Sequence, residues 1–138
     1  MMKAARGIEV LDPYEWLPGY GESAVRVRTE GPDLIVGIEY DCGESICQRE
    51  LRFSSVFSFY SQLFPGPPMV DVEEMDAPLL LRGVLVEYPE SKIAKAWTQH
   101  LNSLRIVRHF NIVFSAENLL LVILASEVSL GEQVARSS

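Results

Sequence analysis

The sequence is short of the residues from which most active centres are built. It has two histidines and two cysteines in 138 positions. Two cysteines are too few for a disulfide framework. A zinc site on Cys42 and Cys47 would need two more ligands, and only His100 and His109 offer ring nitrogens. Long apolar runs are also missing: the longest, Leu119 to Ala125, falls far short of the roughly 18 residues of a membrane-spanning helix. Basic charge is scarce, with 12 Lys and Arg against 19 Asp and Glu and a net charge of −7. That balance excludes a protein that wraps nucleic acid electrostatically. It also excludes docking to an anionic membrane surface. There is no G-x-S-x-G, because Gly43-Glu44-Ser45-Ile46-Cys47 lacks the second glycine and opens a strand. Gly19-Tyr20-Gly21 is not followed by the lysine of a phosphate loop. The N-terminus starts positive but has no apolar stretch behind it, so no signal peptide is expected. These features predict a cytoplasmic protein with both thiols reduced.

What is present is an ordinary globular composition, 48% apolar and 22% charged. A chain of this length buries roughly 68% of its unfolded surface as one domain, here residues 1–138, without a disulfide or a metal. Residues 1–21, broken by Asp12-Pro13 and Leu17-Pro18-Gly19, read as irregular. Tyr14, Trp16 and Tyr20 there suit either a plug over the core or contact anchors. Alternation over 23–29, 33–41 and 45–53 predicts a three-stranded meander. Residues 54–64 have helical spacing at Val56, Phe59, Tyr60 and Leu63, but their Ser, Phe, Tyr and Val content favours strand. Leu79 to Tyr88 reads as a strand covered on both faces. Ser91 is a good N-cap, and Ile93, Ala96, Trp97, His100, Leu101 and Leu104 share a helical face. Residues 105–114 alternate, 119–126 are apolar throughout, and 131–138 read as a frayed tail. The expected fold is α+β and mainly β. It is an antiparallel sandwich or partly open barrel of six to seven strands with one helix near 90–104. An antiparallel sheet covered by a helix on one face is the alternative.

The charge is local. Residues 39–76 carry net −6 of the −7. Glu39, Asp41 and Glu44 sit around a hairpin tip, and Asp71, Glu73, Glu74 and Asp76 lie on a loop after Pro65-Gly66-Pro67-Pro68. At one end of the molecule they would form a negative field that steers a basic partner. As a solvated surface they would only keep the chain soluble. Their spacing lacks the glycine and closing glutamate of a calcium loop, so neither a metal nor a cofactor is expected. Cys47 reads as a packing residue and Cys42 as a turn residue. A Cys42–His109 nucleophilic pair stays open, with nothing marking either residue as activated. Arg108 and His109 are the ligand candidates if the sheet encloses a pocket.

Leu85-Val86-Glu87-Tyr88-Pro89-Glu90-Ser91 with Trp97, Arg108-His109-Phe110-Asn111-Ile112-Val113-Phe114, and Leu121-Val122-Ile123-Leu124-Ala125 together resemble a pattern in small uncharacterised bacterial single-domain proteins. Some of those are similar to immunity-type inhibitors. The resemblance spans roughly the C-terminal 50 residues and implies an accessory or interaction role, with no catalytic residues to carry over. Trp97 lies further from Ser91 than in that pattern, and Ser115-Ala116-Glu117 replaces an acidic-glycine turn. The leading expectation is therefore a non-enzymatic interaction protein, immunity- or adaptor-like, that binds a basic protein through Glu39, Asp41, Glu44, Asp71, Glu73, Glu74 and Asp76. A small-ligand β-domain or minor enzyme is one alternative. A self-associating subunit, a homodimer that covers the two-sided apolar strands, is the other.

Overall fold

Alternation sets the strands, and one long strand sets how they wrap. The structure, a computed structural model, describes residues 7–64 and 77–135. Along these residues run β1 (Ile8–Leu11), β2 (Ala24–Glu30), β3 (Asp33–Cys42), β4 (Ser45–Leu63), α1 (Ala77–Leu81), β5 (Leu85–Glu87), α2 (Lys92–His100), β6 (Arg108–Phe114), β7 (Leu119–Leu130) and β8 (Val134–Ala135). The strands form one sheet in the order β1-β5-β6-β7-β4-β3-β2, with β8 beside the start of β4. Every pairing is antiparallel. The terminal strands of that order, β1 and β2, do not pair, so the sheet stays open. The expected mainly β, antiparallel fold with one main helix is what forms, with eight strands among the described residues where six or seven are expected.

β4 is shared by both halves of the sheet. Its first half pairs with β3 from Ser45 to Phe53, and its second half pairs with β7 out to Leu63. Between them Ser55 turns to φ +51°, a conformation that non-glycine residues seldom adopt. Its N–H donates to Asp33 Oδ1 (3.0 Å), Arg52 holds Asp33 Oδ2 at 2.7 Å, and the Val56 N–H donates to the Pro32 carbonyl (2.8 Å). A register shift follows between Val56 and Ser58, and a bulge of this kind bends its strand. The inner faces of the two halves meet as a result. Leu34, Val36, Ile38, Leu51 and Phe53 pack with Phe110, Ile112, Phe114, Leu121, Ile123 and Ala125 in one buried cluster. Phe53 meets Phe110 edge-on at 5.6 Å between centroids, the geometry that ring quadrupoles favour.

The outer face of β5, β6 and β7 is also covered. Leu80 of α1 packs with Val84, Val86, Tyr88, Val113, Leu120 and Val122. Ala94, Trp97 and Leu101 pack on Val107, Leu124 and Phe57. That double cover is why residues 119–125 are apolar without alternation, and it comes from within the chain.

Several sequence expectations are corrected. Residues 79–88 are not one strand. Pro78 sits in the first turn of α1, and Gly83 at φ +78° ends the segment against Tyr14, whose ring a Cβ there would meet at 2.8 Å. The principal helix is shorter than 90–104. It ends at His100 with Leu101 as its C-cap, and Asn102 and Ser103 follow in left-handed conformations (φ 56° and 60°). Its inward stripe is buried Ala94 with half-buried Trp97 and Leu101, while Ala96 and His100 face solvent and Leu104 is 85% exposed. The opening segment is not wholly irregular, because β1 pairs with β5. Of Tyr14, Trp16 and Tyr20, Trp16 packs on the core beside buried Leu17, 5.0 Å from the Tyr40 ring with Arg49 5.1 Å above it, whereas Tyr14 and Tyr20 are exposed. The expected tail contains β8, which pairs with Cys47 and Gln48. Residues 54–63 are strand, as their composition indicates.

The thiols are not reduced: Cys42 and Cys47 form a disulfide. Tyr40 lies opposite Cys47 and Cys42 opposite Ser45, which puts both cysteines on the inner face of one hairpin. Their Cα atoms are 5.9 Å apart, inside the range of roughly 4.4–6.8 Å that a disulfide spans. The bond closes a short loop, and loop-closure entropy for that length predicts a loss of about 2 kcal/mol when it is removed. Urea unfolding of Cys42→Ser/Cys47→Ala against wild type measures it, and the tryptophan signal of Trp16 reports on the nearby end of the core.

Candidate functional site

Of the acidic candidates, the three that are described, Glu39, Asp41 and Glu44, are not equally open to solvent. Glu39 lies on β3 between Ala24 and Gln48 of the flanking strands. It is only 6% exposed, with Arg26 Nε at 3.2 Å from Oε2, so it is an interior partner and offers little to a ligand. Asp41 and Glu44 are exposed and share the β3–β4 hairpin tip. The tip is a two-residue connection with Gly43 at φ +78°, the conformation a tight hairpin needs at its first central position. The Tyr20 hydroxyl donates to Asp41 Oδ2 at 2.9 Å, and that bond holds the phenol above its ordinary pKa. Ile46, directly opposite Asp41, is 42% exposed. Asp71, Glu73, Glu74 and Asp76 lie outside the described residues.

Other charges of the first half-sheet are spent on each other. Arg28 bridges Glu30 (2.9 Å) and Glu50 (2.8 Å), and Arg52 bridges Glu30 (2.9 Å) and Asp33 (2.7 Å). Glu30 and Asp33 are thereby held below the usual carboxylate range. Hydrogen bonds from Arg52 and Arg28 lead for Glu30, and the Ser55 N–H followed by Arg52 for Asp33. The arginines of β2 and β4 flank Ile35, which is fully buried although it lies on the outer side of β3. Their stems substitute for a covering layer.

The ligand candidates Arg108 and His109 separate by strand alternation. Arg108 makes a two-pronged bond to Glu87 (Nε to Oε2 2.9 Å, Nη2 to Oε1 2.7 Å) and lies 5.0 Å over the Phe110 ring. It borders an open cleft of about 480 Å³ with Tyr88, Lys95, Thr98, Gln99 and Ile106. The Glu87 carboxylate raises the Arg108 pKa still further, and Arg108 is already paired at that cleft.

His109 faces the other side and is sealed. Its Nδ1 lies 2.8 Å from Ser91 Oγ and its Nε2 2.9 Å from Asn111 Oδ1. Ser91, His109 and Asn111 are 0%, 1% and 0% exposed. Serine, histidine and an amide in a row have the composition of a hydrolytic relay, but Ser91 Oγ is already engaged. It accepts the Ala94 N–H at 3.2 Å as the N-cap of α2, and no reactant can approach it. The chain of bonds fastens the start of α2 to β6. The sequence marks Ser91 as a cap. It does not show that His109 and Asn111, at strand spacing, lie beneath that cap. Among the described residues no group of three or more His, Cys, Asp or Glu side chains could hold a metal ion, and the Cys42–Cys47 bond takes both thiols out of nucleophilic and zinc chemistry.

Comparison with models of protein families, with curated proteins and with solved structures finds no match.

Two measurements check these assignments. Ser91→Ala removes both the cap and the bond to His109, so it should cost about 2 kcal/mol and lower the helical signal in circular dichroism. Glu22, 5% exposed, accepts the Glu117 N–H at 3.1 Å, yet burial holds its carboxyl above the ordinary range. A raised carboxyl favours the fold below its unfolded pKa and loses that contribution as pH rises through the folded value. Glu22→Gln should therefore stabilise the protein at neutral pH, and the gain should vanish when both proteins are acidified below the carboxylate range.

Proposed function

We propose that the chain is a non-enzymatic bacterial protein-interaction module of the immunity or adaptor kind, which engages a basic protein through the β3–β4 hairpin tip. The observation that carries this reading is the tip itself. Glu44 is exposed in the two-residue turn and Asp41 is exposed near the end of β3 beside it, and the Cys42–Cys47 bond ties this tip across the hairpin. Tyr20, 69% exposed, and Ile46 lie beside them. A fixed aromatic, an aliphatic contact and two carboxylates are the elements of a charged interaction epitope. Holding the tip before binding lowers the ordering cost of association. The sealed state of Ser91 and His109 and the pairing of Arg108 favour this reading over a ligand-binding or enzymatic one. The sequence by itself predicts a cytoplasmic setting. No helix among the described residues is long and apolar enough to cross a membrane, and the Cys42–Cys47 bond favours a compartment that preserves disulfides.

The test is retention of the wild-type chain and the Asp41→Lys/Glu44→Lys variant on immobilised cationic proteins, read at rising salt. Wild type should be retained by its partner and elute earlier as salt increases. The variant should lose at least tenfold in affinity while melting at the wild-type temperature. Equal retention of both proteins overturns the assignment of the tip.

A further inference from the structure

The second half of β4 has one open edge. The Phe64 N–H donates to the Asn118 carbonyl at 2.8 Å, on the side of β7. Backbone direction alternates along an antiparallel strand. Gln62, Tyr60 and Ser58 therefore turn their N–H and C=O groups toward β7, and Leu63, Ser61 and Phe59 turn theirs away. Among the described residues no strand receives them, because β3 covers β4 only as far as Phe53. The same three residues are the exposed ones of the stretch, Phe59 at 42% and Leu63 at 76% with Ser61 between them. A groove of about 330 Å³ between Gly31, Pro32 and Phe57 to Phe59 continues the line of β3 along this edge.

Open edges are usually guarded, and the other two edges of this sheet are. β2 carries Arg26, Arg28 and Glu30, and β1 is four residues long with a register break. From Phe53 through Leu63 β4 has no charged side chain. We propose that this edge pairs with the same edge of a second copy, antiparallel about a two-fold axis at Ser61. In that register Ser61 faces Ser61 of the second copy, and Phe59 faces its Leu63. Each opposed pair exchanges both backbone hydrogen bonds, using the groups that are now open. The side chains match as well. Phe59, Ser61 and Leu63 stand opposite Ile123, Leu121 and Leu119 of β7 and so share one face. The axis carries the small residue, and an aromatic falls against an aliphatic on either side, a favourable cross-strand pair. An uncharged strand whose exposed residues read apolar-small-apolar in both directions is its own complement, as an isologous contact requires.

Sedimentation equilibrium of the full chain over a rising micromolar series tests this. Wild type should form a concentration-dependent dimer. Ser61→Lys and Ser61→Asp, each placing like charges at the axis, should be monomers at every concentration and should melt where wild type melts when diluted to monomer. An equimolar mixture of the two variants should recover a dimer at low salt. A wild type that stays monomeric throughout overturns the proposal, and a foreign strand then becomes the occupant to seek. A dimer that Ser61→Lys leaves intact, or variants that do not recover a dimer when mixed, also overturns it.

Discussion

The structure depends on the break in β4 at Ser55. An unbroken strand of this length would carry both halves of the sheet in one plane and leave two apolar faces looking outward. The left-handed turn at Ser55, held by Asp33 and through it by Arg52, folds one half over the other. The central core is the consequence: inner residues of β3 and early β4 meet those of β6 and β7. The break also stops β3, which can follow β4 only to Phe53. Among the described residues, the remaining edge is left open by the same event that closes the core.

Around that bend the chain disposes of its polar groups in two ways. In the first half-sheet, arginines and carboxylates on the outer face neutralise one another and shield Ile35. In the second half-sheet, helices cover the outer face, and the polar residues beneath them, His109 and Asn111, are tied to the N-cap Ser91. The histidine that composition singled out is thereby a fastener between helix and sheet. The surface features left over sit at opposite ends of β4, an acidic hairpin tip and an uncharged open edge. Both are suited to association.

Much of the fold was legible in the sequence where period and residue type agreed. Alternation over 24–53, the β-favouring composition of 54–63 and the cap at Ser91 all mark elements that form. The failures come where a pattern has no period. Leu79-Leu80-Leu81 is apolar in every direction and so reads as a buried strand or a buried helix alike. Pro78 and Gly83 were the boundary marks that decide it. The inward face of α2 is legible only in part: Trp97 and Leu101 lie on it as helical spacing indicates, but Ala94 takes the place of Ile93, and the left-handed turn at Asn102 and Ser103 excludes Leu104. The disulfide was hidden because pairing across a hairpin depends on register, and two cysteines five apart carry no register of their own. Of the acidic residues, Asp41 and Glu44 stand where charge mapping puts them. Glu39 shares its strand face with Asp41 but lies further from the tip, where it is buried and paired with Arg26.

The outward backbone groups of Phe59, Ser61 and Leu63 are open in one copy and paired in two. Residue-resolved amide hydrogen exchange measures this directly. In dilute protein the amides of Phe59, Ser61 and Leu63 should exchange rapidly while those of Ser58, Tyr60 and Gln62, turned toward β7, stay protected. On concentration the first set should become protected and the second should not change. Equal protection of both sets at every concentration would mean that this edge is already covered within one chain, and would contradict the account.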